Sequence, residues 1–408
     1  MSAALDQPVY SDDNIVAVTK LSGAIVARSI QVPITPDVLA WAVETSGYDL
    51  SEVARQLDID GRLITRWLSE DEKPTVTQFR SLARLLRRPT ATFFLPDRPK
   101  SSVVQVQFRQ APGGTIRRLY PKENLCIREA EYLQRTIAWL QNELGEVAAR
   151  LPSVALHADV EEVASVARKI LGVSLEEQFA WPNNFRALKE WRRAFEASGI
   201  LVFFMSMGDK SARGFSIWHD ISPLIAVNTH WNPAARMYTM FHELGHLLTR
   251  TSSICADHAG ARHSSTDADI ERWCERVGAA ALMPKEAVLI ALRAFGFSAR
   301  EEIDDIEIPR KLSVRFRVSL RAAALRLINL GRSSWSLYQS LPPASDAKSQ
   351  MAGGEGRSRP VIRVDEYGQR TAQLFLHGLN QELINASDVM HYLNVSYPEL
   401  AELDTLVS

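Results

Sequence analysis

From Ile34 to Leu86, apolar residues recur every three or four positions in short bursts broken by polar turns, a pattern that predicts a compact bundle of short helices. Within it Leu50, Val53, Ala54 and Leu57 follow the i, i+3, i+4, i+7 rule, a turn falls at Asp58 to Asp60, and Leu63, Ile64 and Trp67 restart the stripe. Two helices joined this tightly predict a helix-turn-helix. Pro89, Pro96 and Pro99 then bracket an aromatic plug in RPTATFFLPDRP, and SSVVQVQFRQAPGG reads as a linker. Amphipathic helices are expected from Asn124 to Glu143 and from Asp159 to Leu171, the latter with Asp159 at its cap.

After these the period changes. GILVFFMS, GFSIW and SPLIAVNT are short β-branched and aromatic runs, predicting three strands before a helix that begins near Asn232. Residues 343–360 are small, polar and rich in Gly and Pro, too poor in apolar surface to order themselves, and helical periodicity returns to the end. The expected organisation is an all-α helix-turn-helix domain (1–98), an α+β domain (99–342), a linker (343–360) and a helical C-terminal unit (361–408). Ser51, Val53, Leu57 and Ile59 share their spacing with Ser387, Val389, Leu393 and Val395. Two unrelated amphipathic helices explain this as well as a repeat does. In a repeat, Pro398, Glu399 and Glu402 would stand where a phosphate reader needs Arg or Lys, so protein contact is the expected role of the tail.

Composition narrows the class without choosing a partner. The 408 residues are 46 % hydrophobic and 23 % charged, as in globular proteins, and no stretch approaches the roughly 20 apolar residues of a membrane span. The opening MSAALDQPVYSDD lacks the basic-then-apolar layout of a signal peptide, so a cytoplasmic location is expected. Cys126, Cys255 and Cys274 are too few and too scattered for a disulfide framework, and reduced thiols are expected. A net charge of −1 leaves any nucleic-acid contact local.

The strongest chemical signal is FHELGHLL. His242 and His246, four residues apart, lie within about 40° of each other on a helix face, so both imidazoles can reach one ion. Glu243 lies about 100° around, placed to take a proton from an attacking water as general base rather than to ligate. A catalytic zinc takes three protein ligands, and the pattern that ends in a third His fails because Thr249 stands at its Gly and Ser252 at its third His. A carboxylate is therefore expected. Glu271 and Glu275 share a helix face opposite Ile270, Trp273, Val277 and Ala281, with Glu271 expected as ligand and Glu275 as its neighbour that orients an imidazole. An exposed acidic pair is the competing reading. His230 and Asn228, at the end of the strand PLIAVNT, are weaker catalytic candidates, as is His219 at its start, for contact with a substrate carbonyl. His258 and His263 fall in a polar loop and are expected to face water.

These segments resemble the ImmA/IrrE family of metallopeptidases preceded by an XRE-type helix-turn-helix. The resemblance is carried by LSEVARQLDIDGRLITRWLSEDEKPT, RPTATFFLPDRP, PLIAVNT, YTMFHELGHLL and ERWCERVGAAALMP. Glu271, Leu282, Met283 and Pro284 match the third family motif, whereas Cys274 and Glu275 replace its Ala-Asn and Val277 and Gly278 its Phe-Ala. The resemblance implies a zincin-like fold, Zn2+, and proteolysis of a transcriptional repressor or antitoxin, often in a stress response. A regulator or antitoxin that uses the same fold as a non-proteolytic sensor is the alternative.

A DNA-reading helix-turn-helix would turn Arg62, Thr65 and Arg66 into the major groove. Residues 31–100, however, carry ten Lys/Arg and ten Asp/Glu, a weak electrostatic footprint, so docking on a protein stays open beside DNA binding. The basic group Arg80, Arg84, Arg87 and Arg88 is either a backbone contact or a solvated face. The expected partners are a protein substrate and DNA or a regulator, with no membrane, and self-association is left open.

Overall fold

The computed structural model describes residues 30–99, 119–250, 253–255, 265–298, 301–342 and 356–408. The first segment is a bundle of α1 (Pro36–Glu44), α2 (Leu50–Leu57), α3 (Gly61–Leu68) and α4 (Val76–Leu85), closed by a 3-10 turn (Thr90–Phe94). Local chemistry fixes its boundaries. Asp49 accepts the Glu52 N–H while Glu52 accepts that of Asp49, a reciprocal cap at the start of α2. Asp58 then takes the left-handed conformation (φ 53°), and Asp60 caps α3 by accepting from the Arg62 N–H. Leu39, Val53, Ile64, Trp67, Phe79 and Phe93 fill the core.

The following helices are α5 (Pro121–Glu143), α6 (Val160–Leu171), α7 (Leu175–Ala180) and α8 (Asn184–Ala197). Strands β1 (Leu201–Met205), β2 (Gly214–Ile217) and β3 (Leu224–Asn228) lead into α9 (Pro233–Leu248), and the chain returns through β4 (Ser253–Cys255) to α10 (Ser265–Leu282). Next come α11 (Lys285–Ala294), α12 (Glu307–Phe316), α13 (Leu320–Asn329) and α14 (Trp335–Ser340), then α15 (Arg359–Tyr367), α16 (Gln369–Asn380), α17 (Ala386–Leu393) and α18 (Tyr397–Val407).

The sheet order is β1-β3-β2-β4, with β1 parallel to β3 and the other pairs antiparallel. The sequence predicted three strands here, and β4 is the added one. It covers the edge of β2, so the sheet's edge on that side lies on β4 rather than on β2. Both faces of the sheet are covered, which is why its strands read as near-continuous apolar runs. Val202, Ile225 and Val227 face a core shared with α6, α8, α9 and α10. Leu201, Phe203, Leu224 and Phe215 face a second core built from α5 and the C-terminal helices, through Phe375, Val389 and Leu403.

Arg192 on α8 ties the C-terminal helices to the sheet. Its guanidinium donates to Glu196 Oε1 (2.9 Å), to the Val202 carbonyl (2.7 Å), and to the carbonyls of Asp365 (2.6 Å) and Glu366 (3.1 Å) at the end of α15. Such a group, 8 % exposed, is held in the interior only because its donors are satisfied.

Glu131 on α5 is the contrasting case. It is 4 % exposed and its Oε1 has no hydrogen-bond partner among the described residues. Burial pushes its carboxyl up to about 7, with Arg135 pulling only partly the other way. The folded value lies above the unfolded one, so ionisation costs stability increasingly as pH rises from the usual carboxylate range toward 7. Glu131→Gln is therefore expected to stabilise the protein by on the order of 1 kcal/mol at about pH 8 and by much less at about pH 5, as read from denaturant midpoints at the two pH values.

Candidate metal centre

The helix that carries the histidines is set by its first turn. Asn232 accepts the Ala235 N–H at 2.9 Å and Pro233 occupies the first helical position, where no N–H is needed. From there α9 runs through the interior, and Phe241 packs edge-on against Trp191 (4.7 Å) and Phe195 (5.3 Å) of α8. Beyond its last turn, Arg250 in the left-handed region (φ 59°) donates to the Leu151 carbonyl and lies over the Trp218 ring at 3.6 Å. The helix cannot slide without breaking both ends.

His242 and His246 turn their Nε2 atoms toward each other, 3.2 Å apart. Glu271, on the first half of α10, closes the triangle with Oε2 at 3.2 Å from His242 Nε2 and Oε1 at 3.4 Å from His246 Nε2. Ligand atoms at bonds of about 2.0 to 2.1 Å around a tetrahedral ion lie about 3.3 to 3.4 Å apart, and each of these separations is close to that, with each carboxylate oxygen of Glu271 facing one imidazole. His242 and His246 are buried, whereas the Glu271 side chain is 35 % exposed. Two Nε2 lone pairs and a carboxylate fit a divalent ion of zinc's kind.

The electrostatics agree with this geometry. Burial works against a charge on His242, but the hydrogen bond it donates to Glu271 and the charges of Glu243, Glu271 and Glu275 together raise its pKa. Burial likewise opposes ionisation of Glu271, and the two imidazoles overcome it, holding the carboxyl well below the usual range. Glu243 is fully buried beside the triangle. Glu275 is exposed, its carbonyl accepts the Tyr238 hydroxyl at 3.1 Å, and its charge acts on His242.

The weaker candidates lie elsewhere. His230 stands past the end of β3 with its ring edge-on to Trp231 at 5.2 Å, outside the converging group. Asn228 is fully buried and accepts from the N–H groups of Met207 and His230 while donating to the carbonyls of Gly208 and Ala212, so it braces two loops. His219 accepts from the N–H groups of Ile221 and Ser222 in a turn, and burial lowers its pKa. His258 and His263 lie outside the described residues. In the N-terminal bundle Arg62, Thr65 and Arg66 are all exposed on α3, and Arg66 pairs with Glu72 at 2.9 Å.

What sequence reasoning missed is the contact that brings α10 to α9. A methyl group added at Gly278 would meet the His242 backbone nitrogen at 3.1 Å, and one added at Gly245 would meet Cys274 Sγ at 3.1 Å. The helices cross in van der Waals contact at two glycines. A glycine inside a helix costs stability unless close approach requires it, so Gly278 in ERWCERVGAAALMP was the available signal. Burial beside Glu271 and Glu243 also pushes the Cys274 thiol well above its usual value, which makes it an inert packing group. Gly278→Ala is expected to shift α10 by a few tenths of an ångström, weakening zinc or cobalt affinity by roughly tenfold with a stability loss of about 1 to 2 kcal/mol, measured by competition with a chromophoric chelator and by denaturant unfolding.

No curated protein matches this chain. Residues 195–328, about a third of its length, match the family described as the IrrE N-terminal-like domain, Peptidase_M78, a span that runs from the end of α8 through the sheet, α9 and α10 into α13.

Proposed function

We propose that this protein is a zinc-dependent endopeptidase in which His242, His246 and Glu271 hold the metal and Glu243 is the general base. The observation that carries the reading is the convergence of His242, His246 and Glu271, with separations of 3.2, 3.2 and 3.4 Å between imidazole nitrogens and carboxylate oxygens and with Glu271 partly exposed, beside the buried carboxylate of Glu243. The match to a peptidase family over the same residues supports it. Zinc in this set would polarise a peptide carbonyl and acidify a water. Glu243 removes the proton of that attacking water and returns it to the leaving amine, a role suited to a carboxylate held rigidly on the same helix as the ligands. Glu275 raises the negative potential at His242 and so favours the ligated imidazole. The free edge of the sheet at β4 offers backbone groups to an extended substrate strand.

The substrate class we assign is a transcriptional repressor or antitoxin in the cytoplasm. The α2–α3 pair acts as an XRE-type helix-turn-helix that docks on that regulator or on its DNA. Its short connection, with Asp58 left-handed and Asp60 capping α3, and the exposure of Arg62 and Thr65 support the reading. The Arg66–Glu72 ion pair and the balanced charge favour a protein surface over a phosphate backbone. Among the described residues no helix is long and apolar enough to cross a membrane.

Glu243→Gln tests the proposal. It should retain the metal within about twofold while lowering cleavage of a candidate repressor by on the order of a thousandfold. Unchanged cleavage by the variant would remove the general-base role, and a regulatory output insensitive to the variant would identify a non-proteolytic regulator.

A further inference from the structure

Among the described residues the core of the N-terminal bundle is separate from the two cores of the sheet, and bundle and α5 meet at a seam. There the turn between α1 and α2 lies against the start of α5: a methyl group at Gly47 would fall 2.6 Å from Asn124 Nδ2 and 2.7 Å from the Leu119 carbonyl oxygen. Thr45, two residues before Gly47, accepts a hydrogen bond of 2.9 Å from Arg88 Nη2, and the Arg88 guanidinium lies 4.2 Å from the centre of the Trp41 ring. Arg128 is one helical turn beyond Asn124 and so shares the face of α5 that meets this turn. Arg88 on the bundle and Arg128 on α5 thus border the seam, close enough for the charge of one to act on the other.

Among the described residues no carboxylate forms an ion pair with Arg88 or Arg128, and Arg88 Nε and Arg128 Nη1 are buried with no hydrogen-bond partner. The nearby acids of α5 are engaged elsewhere: Glu129 accepts from the Tyr367 hydroxyl, and the charge acting on Glu131 is that of Arg135. Burial and the charge of Arg128 lower the pKa of Arg88 to about 10. By contrast, Arg192 pairs with Glu196, and Arg326 meets both oxygens of Glu161 at 2.7 and 2.8 Å. Neighbouring guanidinium groups of like charge, each with a buried donor left over, have the charge of a receptor for a compact oxyanion, because each planar fork can present two N–H groups to one acceptor.

We propose that this seam binds a phosphate-type oxyanion between Arg88 and Arg128, and that the ligand fastens the N-terminal bundle to α5. Bridging converts a like-charge contact into two charge-assisted hydrogen-bond pairs, and α5 lies directly on the sheet, so bundle and sheet are joined through the ligand. The same chemistry can be supplied by inorganic phosphate or by the phosphate of a nucleotide.

The test is calorimetric titration of the full chain with inorganic phosphate and, separately, with adenosine monophosphate, at fixed ionic strength in a chloride buffer. Wild type should bind at least one of the two at millimolar or lower concentration, and Arg128→Gln and Arg88→Gln should each weaken binding by about tenfold or more. Arg128→Gln should keep the wild-type circular dichroism spectrum, since it removes an unpaired buried charge. Equal affinity for the two ligands assigns recognition to the phosphate alone, and tighter nucleotide binding adds contacts from the nucleoside. Absence of binding in wild type, or binding undiminished in both variants, overturns the proposal.

Discussion

The structure depends on the contact of α9 with α10. Two imidazoles on one helix turn are common, and alone they make a two-coordinate pair. What converts them into a three-donor set is a second helix approaching closely enough for Glu271 to reach both, and Gly245 against Cys274 and Gly278 against His242 permit that approach. The contact is rigid because α9 is also pinned by Asn232 at its start, by Arg250 at its end and by Phe241 against α8. A site that must hold donors within a few tenths of an ångström needs such support, since each ligand side chain could otherwise relax into its own rotamer.

The sheet serves this arrangement from below. Its apolar strands give α9 a flat floor on one face, while α5 and the C-terminal helices seal the other. Glu271 remains the partly exposed member of the triangle. Burial of the histidines, partial exposure of Glu271 and a fully buried Glu243 thus all follow from where α9 and α10 sit in the layers.

Much of this was legible in the chain, for identifiable reasons. The four-residue spacing of His242 and His246 fixes a shared face, and the strands GILVFFMS, GFSIW and SPLIAVNT appear as β1, β2 and β3 because runs covered on both sides are apolar throughout. Asp159 and Asn232 announced helix starts that the structure places one residue later. β4 was not visible, since three residues give no alternation to detect. The reach from Glu271 to the imidazoles depends on a crossing between helices, which periodicity does not encode, and only Gly278 hinted at it. The ties of Arg192 to the carbonyls of Asp365 and Glu366 are equally silent in sequence, because backbone acceptors carry no residue signature. The echo between the two ends of the chain has a local counterpart: α2 and α17 both begin with a reciprocal cap and both end on a left-handed residue, Asp58 and Asn394. Such turns recur after α6 at Gly172 and after α12 at Arg317, so the echo reflects a shared way of joining helices.

The central claim is that three side chains from two helices form one metal site. Its most direct measurement is the zinc content of the purified wild-type chain beside that of Glu271→Ala. Wild type should hold about one zinc per chain and the variant almost none, with the histidine helix still folded. A wild-type chain that takes up no divalent metal, or a Glu271→Ala variant that keeps its full complement, would contradict it.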